Sequence, residues 1–224
     1  MNKPDKPNVA SQRVADILAE RILSGELRPG ERIKQDELAA ELDISRIPVR
    51  DALRILEMRG LVSLKANAGA RVTSLTVKDM DVSYRVREIL EPMLLEESIP
   101  NLTDDDIAEM EVIKGKLEAI ENTDEYLALI REFHWTAFRG HESPLLAQIV
   151  ERLWDTTQSY RLAYAKLALA DADRGKIMRA ERNLLFESIK RREVEIAPPL
   201  LATHIRRTHM TLLKYQHMHD LLAS

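Results

Sequence analysis

Two short apolar stripes at helical spacing, parted by a single tight break, constrain this chain more than any other feature of its sequence. Leu38 and Leu42 mark a helix over Asp36–Leu42, and Asp43 breaks it. Val49, Ala52, Leu53 and Leu56 mark the next helix, which ends at Gly60. Ser45 is placed to cap that helix, and Pro48 falls in its first turn, where a missing N–H does no harm. Upstream, Val14, Ile17, Leu18 and Ile22 repeat at the same period from Val9 to about Ser24; Gly25 and then Leu27-Arg28-Pro29-Gly30 supply a stop and a turn. Downstream, Leu61–Leu64 and Ala70–Thr73 read as two strands joined by Lys65-Ala66-Asn67-Ala68-Gly69, a hairpin. The first eight residues, with Pro4 and Pro7, read as a frayed arm.

The charges follow this pattern. Residues 1–75 carry 13 Lys/Arg against 11 Asp/Glu, whereas residues 76–224 carry 20 against 26. Between Ile44 and Arg71 six basic residues (Arg46, Arg50, Arg54, Arg59, Lys65, Arg71) face two acidic ones, Asp51 and Glu57. A basic stretch inside an acidic chain is the local footprint that phosphate binding requires. Arg46 and Arg50 are i and i+4 on the helix after the break, opposite the Val49–Leu53–Leu56 stripe. Two guanidiniums there can take guanine O6 and N7 or grip phosphates.

The span Pro29–Val72 reads PGERIKQDELAAELDISRIPVRDALRILEMRGLV and then, after Ser63-Leu64, the hairpin KANAGARV. It resembles the winged helix-turn-helix of GntR regulators in the PG turn, DELA, ISRxPVRDAL, LExRGLV and the wing glycine, in that order and at those separations. The resemblance implies that Arg46 and Arg50 touch operator DNA and that Ser45 lies at the phosphate-facing start of the recognition helix. It also implies that the wing tip Asn67–Gly69 reaches toward the minor groove, with Gly69 permitting close backbone approach. Many relatives place an arginine on the preceding helix where this chain has Asp36, a departure that alters which bases or phosphates are touched.

After Leu75 the pattern is helical almost to the end, with helices expected near 77–98, 104–120, 124–139, 144–170, 174–192 and 199–221. Thr103 and Ser143 are good N-cap residues, and Pro198-Pro199 must sit in a loop or an opening turn. The fold class is therefore mainly α: a winged helix-turn-helix over 1–75, then an antiparallel all-helical bundle over 76–224. The segments VREILEP, EFHWTAF and ERNLLFESIKRREVEIAPPLLATHI resemble the FCD effector-binding domain of the FadR subgroup. Six helices suggest its shorter, VanR-like variety.

Many FCD domains hold a divalent metal with an Asp four residues before a His and two further His on later helices, a donor set suited to Zn²⁺ or Ni²⁺. By resemblance His134 matches the first histidine and His204 the last, but the Asp position is Ile130 and the middle histidine is Arg182. Ile130 has no lone pair and Arg182 is a fixed cation, so neither a metal nor any other cofactor is expected. A guanidinium where a metal ordinarily anchors an acidic effector points instead to direct binding of an anionic metabolite by Arg182, with His134, His204 and a second cation, Arg87. Three alternatives stay open: Arg182 pairs with a carboxylate such as Glu91 in a vestigial pocket of a ligand-independent regulator, the pocket takes an apolar effector, or it remains a metal-dependent sensor.

Other functions lack their machinery. The chain has no cysteine, hence no disulfide or thiolate site, which fits a cytoplasmic protein. It shows no signal-peptide core and no apolar run near the ~20 residues that span a bilayer. There is no HExxH, no nucleophile motif and no phosphate-binding glycine loop, so no enzyme is expected. Trp135 and Trp154 read as core or interface anchors, and the spacing of His204, His209, His217 and His219 does not keep them on one helix face. Because helix-turn-helix operators are usually two-fold, the expected partners are operator DNA, a small-molecule effector and a second copy of the chain in a C₂ homodimer.

Overall fold

The computed structural model describes residues 9–65, 69–120 and 122–215. Contacts divide the chain into two compact units. The first holds the described residues up to Leu75 together with Trp154–Ser159, and the second holds Thr76–Leu153 and the described residues from Tyr160 onward.

In the first unit α1 (Val9–Leu23), α2 (Gln35–Glu41) and α3 (Arg46–Met58) enclose an aliphatic core with a small sheet. Leu18, Val49, Ala52, Leu53 and Leu56 are fully buried, so the stripes that define the helices also hold them together. Asp43 takes φ +51° at the break between α2 and α3, a left-handed conformation that a short polar side chain tolerates. The sheet has three antiparallel strands in the order β1 (Arg32–Ile33), β3 (Gly69–Val72), β2 (Val62–Lys65). Its register pairs Ile33 with Ala70 and Val62 with Val72, which are buried, while Arg32 and Arg71 alternate outward. The hairpin pattern foretells β2 and β3 but not β1, because two residues are too few to display an alternation.

The second unit is all helical: α4 (Val77–Ser98), a 3-10 turn at Ile99–Asn101, α5 (Asp104–Ala119), α6 (Thr123–Phe138), α7 (Pro144–Thr156), α8 (Gln158–Ala170), α9 (Ala172–Lys190) and α10 (Ala197–Lys214). Capping boxes start α4 at Thr76 with Asp79 and α5 at Thr103 with Asp106. Asp171, expected in a loop, caps α9 by accepting from the Asp173 and Arg174 amides. The two prolines fall in the opening turn of α10, where they cost no hydrogen bond. Ser143 immediately precedes α7, and its hydroxyl donates to Glu97 at 2.8 Å. Helix α4 continues through Pro92 and packs chiefly against α10, while α5 packs against α6 and α9.

Seven α-helices, not six, occur among the described residues of this unit. After Pro144 in its first turn the run to 170 contains no Gly or Pro and reads as one helix, yet it breaks at Thr157 between α7 and α8. Thr156 and Thr157 are β-branched, which weakens a helix at that point, and Trp154–Ser159 belongs to the first unit. The six-helix expectation is thereby corrected. His217, His219 and the predicted end of the last helix at 221 lie outside the described residues. Among the described residues no helix is long and apolar enough to cross a membrane.

Candidate nucleic-acid interface and effector pocket

The outer face of α3 carries Arg46, Ile47, Arg50, Arg54 and Met58, all exposed, opposite buried Val49, Ala52, Leu53 and Leu56. Arg46 and Arg50 therefore share one solvent-facing surface, as their spacing implies. Ser45 occupies the N-cap position with extended backbone (φ −74°, ψ 165°), but its hydroxyl makes no capping hydrogen bond. Asp36 on α2 answers Arg46 directly, Oδ1 to Nε 2.6 Å, with both side chains mostly exposed. Gly69 opens β3 at φ +78°, a left-handed conformation that glycine adopts without strain. A Cβ at Gly69 would stand 3.7 Å from Arg32 Nε. Arg32 thus joins the base of the wing, a basic residue that the sequence reading missed because β1 was not visible in it. Asn67 lies outside the described residues.

The second unit gathers residues from three helices around one pocket. Helix α6 supplies Tyr126, Ile130, Phe133 and His134, α9 supplies Met178, Glu181, Arg182 and Leu185, and α10 supplies His204. The first two sets are spaced at i, i+3 or i+4, and i+7, so each forms one helix face. The pocket holds about 290 Å³ of empty space, its open mouth included. Ile130, His134, Arg182 and His204, matched by resemblance alone, meet here. Tyr126, Phe133, Met178 and Leu185 were not anticipated, although stepping one turn from His134 and Arg182 reaches them.

Arg182 is 4% exposed; among the described residues it pairs with no carboxylate, and the side chain that engages its guanidinium is the Tyr126 phenol. Burial pushes its pKa down, offset in part by the Tyr126 phenol and Glu118. The neighbouring Glu181 does not neutralise it. Glu181 Oε2 lies 2.9 Å from His204 Nδ1 and its Oε1 2.6 Å from Arg207 Nη1. Tyr126, its phenol pushed up to about 12 by burial, donates to Met178 Sδ at 3.1 Å.

Glu91 does not pair with Arg182. Its Oε1 stands 2.5 Å from Arg87 Nε one helical turn away, and both side chains are buried. Arg87 also lies over the Tyr84 ring, 4.8 Å from its centroid. Arg87 is consequently not among the pocket-lining residues, a correction to its expected place in the effector set, though its charge is still felt there. His134 is held well below its ordinary pKa of 6.5 by burial first, and then by His204, Arg87, Arg161 and Arg182. Arg161, buried on α8, is itself pushed down by burial and by Arg87. Guanidiniums remain charged at physiological pH. Three buried arginines act on His134, and of the buried carboxylates Glu91 pairs with one of them, Arg87, whereas Asp106 pairs with Arg139 and Asp155 with Arg59. Arg161 escaped the sequence reading because a lone Arg between Tyr160 and Tyr164 resembles any solvated helix position.

These residues do not fit a divalent metal. Two imidazoles are the only pocket donors at the matched positions, a hydrocarbon stands at the third, and the fourth is a cation that would repel the ion. Among the described residues no three His, Cys, Asp or Glu side chains are arranged to hold one. His209 is engaged elsewhere, stacked on Tyr84 at 5.6 Å with Nε2 3.0 Å from Asp81 Oδ1.

Comparison with known proteins agrees with this division. The profile described as bacterial regulatory proteins, gntR family, matches residues 10–72, and that of the FCD domain matches residues 82–207. The HTH-type transcriptional regulator YdhC of Bacillus subtilis (strain 168) is 30% identical over 206 residues, 90% of each chain. The gluconate operon transcriptional repressor of the same organism is 31% identical over 163 residues, 71% of this chain and 66% of the repressor. The solved structure of McbR/YncC from Escherichia coli superposes with a TM-score of 0.80 at 24% identity, covering 92% of this chain and 98% of that one, which shows the shared fold.

Proposed function

The chain belongs to the GntR family of bacterial regulatory proteins and carries an FCD domain, and from that premise we propose that it is a homodimeric, sequence-specific repressor whose operator affinity is modulated by a small anionic metabolite. One observation carries the effector reading: Arg182 is a buried guanidinium that no carboxylate pairs with, facing a pocket. An uncompensated buried charge is costly, and a carboxylate or phosphate oxygen in the pocket relieves that cost with charge-assisted hydrogen bonds.

The α3 face with Arg46 and Arg50 is the DNA-reading surface in this proposal, Ser45 contacts a phosphate at the helix start, and the wing from Asn67 to Gly69 lies toward the minor groove. Repression follows the relatives named as repressors, such as that of the gluconate operon. An anion that binds one arrangement of the dimer better than another shifts operator affinity by its differential affinity.

A thermal-shift screen of small carboxylates and inorganic phosphate, followed by operator titration, tests the effector. The expected hit stabilises the protein by RT ln(1+[L]/Kd) and changes operator affinity, and both effects disappear in Arg182→Ala. An effector response that survives Arg182→Ala sinks the assignment.

A further inference from the structure

We infer that Ile47 is a specificity-determining residue that reads the methyl group of a thymine in each operator half-site. This rests on the reading of α3 as the recognition helix. Ile47 is 64% exposed in the first turn of α3, beside Arg46 and at i−3 from Arg50. An isoleucine held in water there does nothing for the fold, whose core is formed by the opposite face. Its neighbours decide what covers it. Arg46, Arg50 and Arg54 lie on the same face, so whatever docks there is polyanionic.

Within a DNA major groove the apolar feature available to such a side chain is the thymine C5-methyl, and the N-terminal end of a recognition helix is the part that reaches base edges. A β-branched residue in a helix keeps one χ1 rotamer, so ordering Ile47 against a methyl loses little entropy. Flanking arginines suit guanine and phosphate oxygens. The combination predicts a half-site in which a thymine stands next to the base or phosphate taken by Arg50.

The test uses the full-length protein and an operator obtained by selection from random DNA. Each thymine of the selected site is replaced in turn by deoxyuridine, which removes only the methyl, and affinity is measured for wild type and for Ile47→Ala. One position per half-site is expected to weaken wild-type binding about fourfold, the equivalent of one methyl-sized burial. Ile47→Ala should bind the thymine operator correspondingly worse and be indifferent to deoxyuridine at that position. A wild type indifferent to every replacement, or an Ile47→Ala variant that keeps the same sensitivity, overturns the inference. Arg50→Ala separates the two levels: if it binds the selected site as wild type does, α3 is not the reading helix. If it loses affinity while no methyl matters, only the Ile47 assignment fails.

Discussion

Asp36 Oδ1 lies 2.6 Å from Arg46 Nε, so an acidic residue on α2 holds the leading arginine of the outer face of α3. The resemblance to GntR regulators puts an arginine at position 36 in many relatives. Here the same position withdraws positive charge from the surface and restrains Arg46. Both groups are largely exposed, so the pair adds little to stability.

Asp36→Asn is therefore expected to leave the denaturation midpoint nearly unchanged while tightening binding to non-cognate DNA. The dependence of log K on log salt should steepen by up to about one phosphate equivalent as Arg46 is released. Fluorescence anisotropy against salt, with a scrambled duplex, checks this; unchanged affinity and slope would show that Arg46 is already free to reach phosphate.

Arg182→Met should stabilise the ligand-free protein, the reverse of the usual effect of altering a buried residue. Removing a buried guanidinium that no carboxylate pairs with and filling its volume with a hydrocarbon is expected to gain about 1–3 kcal/mol. Urea denaturation without added anions measures it. A clear loss of stability means that Arg182 is answered inside the protein and the pocket is not built for an anion.

The lost ligand positions can be restored. Ile130→Asp combined with Arg182→His would place a carboxylate and a third imidazole with His134 and His204 around the pocket, a set suited to Zn²⁺. Elemental mass spectrometry of untagged protein should find near-stoichiometric metal in the double variant and none in wild type. Stoichiometric zinc in wild type would mean that His134 and His204 recruit other donors.

His134 makes stability depend on pH with a definite sign. Its folded pKa is depressed well below 6.5 by burial and by the surrounding His204 and arginines. The unfolded chain protonates this histidine below about pH 6.5 while the folded one does not, so stability falls as pH drops from there. His134→Gln should flatten the stability profile between about pH 7 and 5. An anion in the pocket opposes the same cations and raises the His134 pKa, so its affinity should increase toward acid. Urea titrations at several pH values, with and without the anion, distinguish these slopes.

How far the sequence reached depends on the range of the interactions involved. The helix-turn-helix, the outward face of α3, the Thr103 cap and the opening-turn prolines of α10 were legible because each is settled within one or two turns of chain. Stripe spacing, a hydroxyl before the first turn and a missing N–H act locally. The convergence of α6, α9 and α10 was legible only through resemblance, since nothing in the spacing of His134, Arg182 and His204 says that three helices meet. Tertiary packing alone decided the rest. Glu91 can reach Arg87 one turn along its own helix, and that choice leaves Arg182 without a carboxylate. The two residues of β1 become a strand only because β3 offers hydrogen-bond partners. Helix α7 stops at Thr156 although the local pattern runs on. Gly140 is required because a Cβ there would stand 2.4 Å from the Ser98 carbonyl oxygen, a neighbour 42 residues away. Local propensity fixes what a segment can be, whereas counter-ions, short strands and close backbone contacts depend on distances that exist only after the chain has packed.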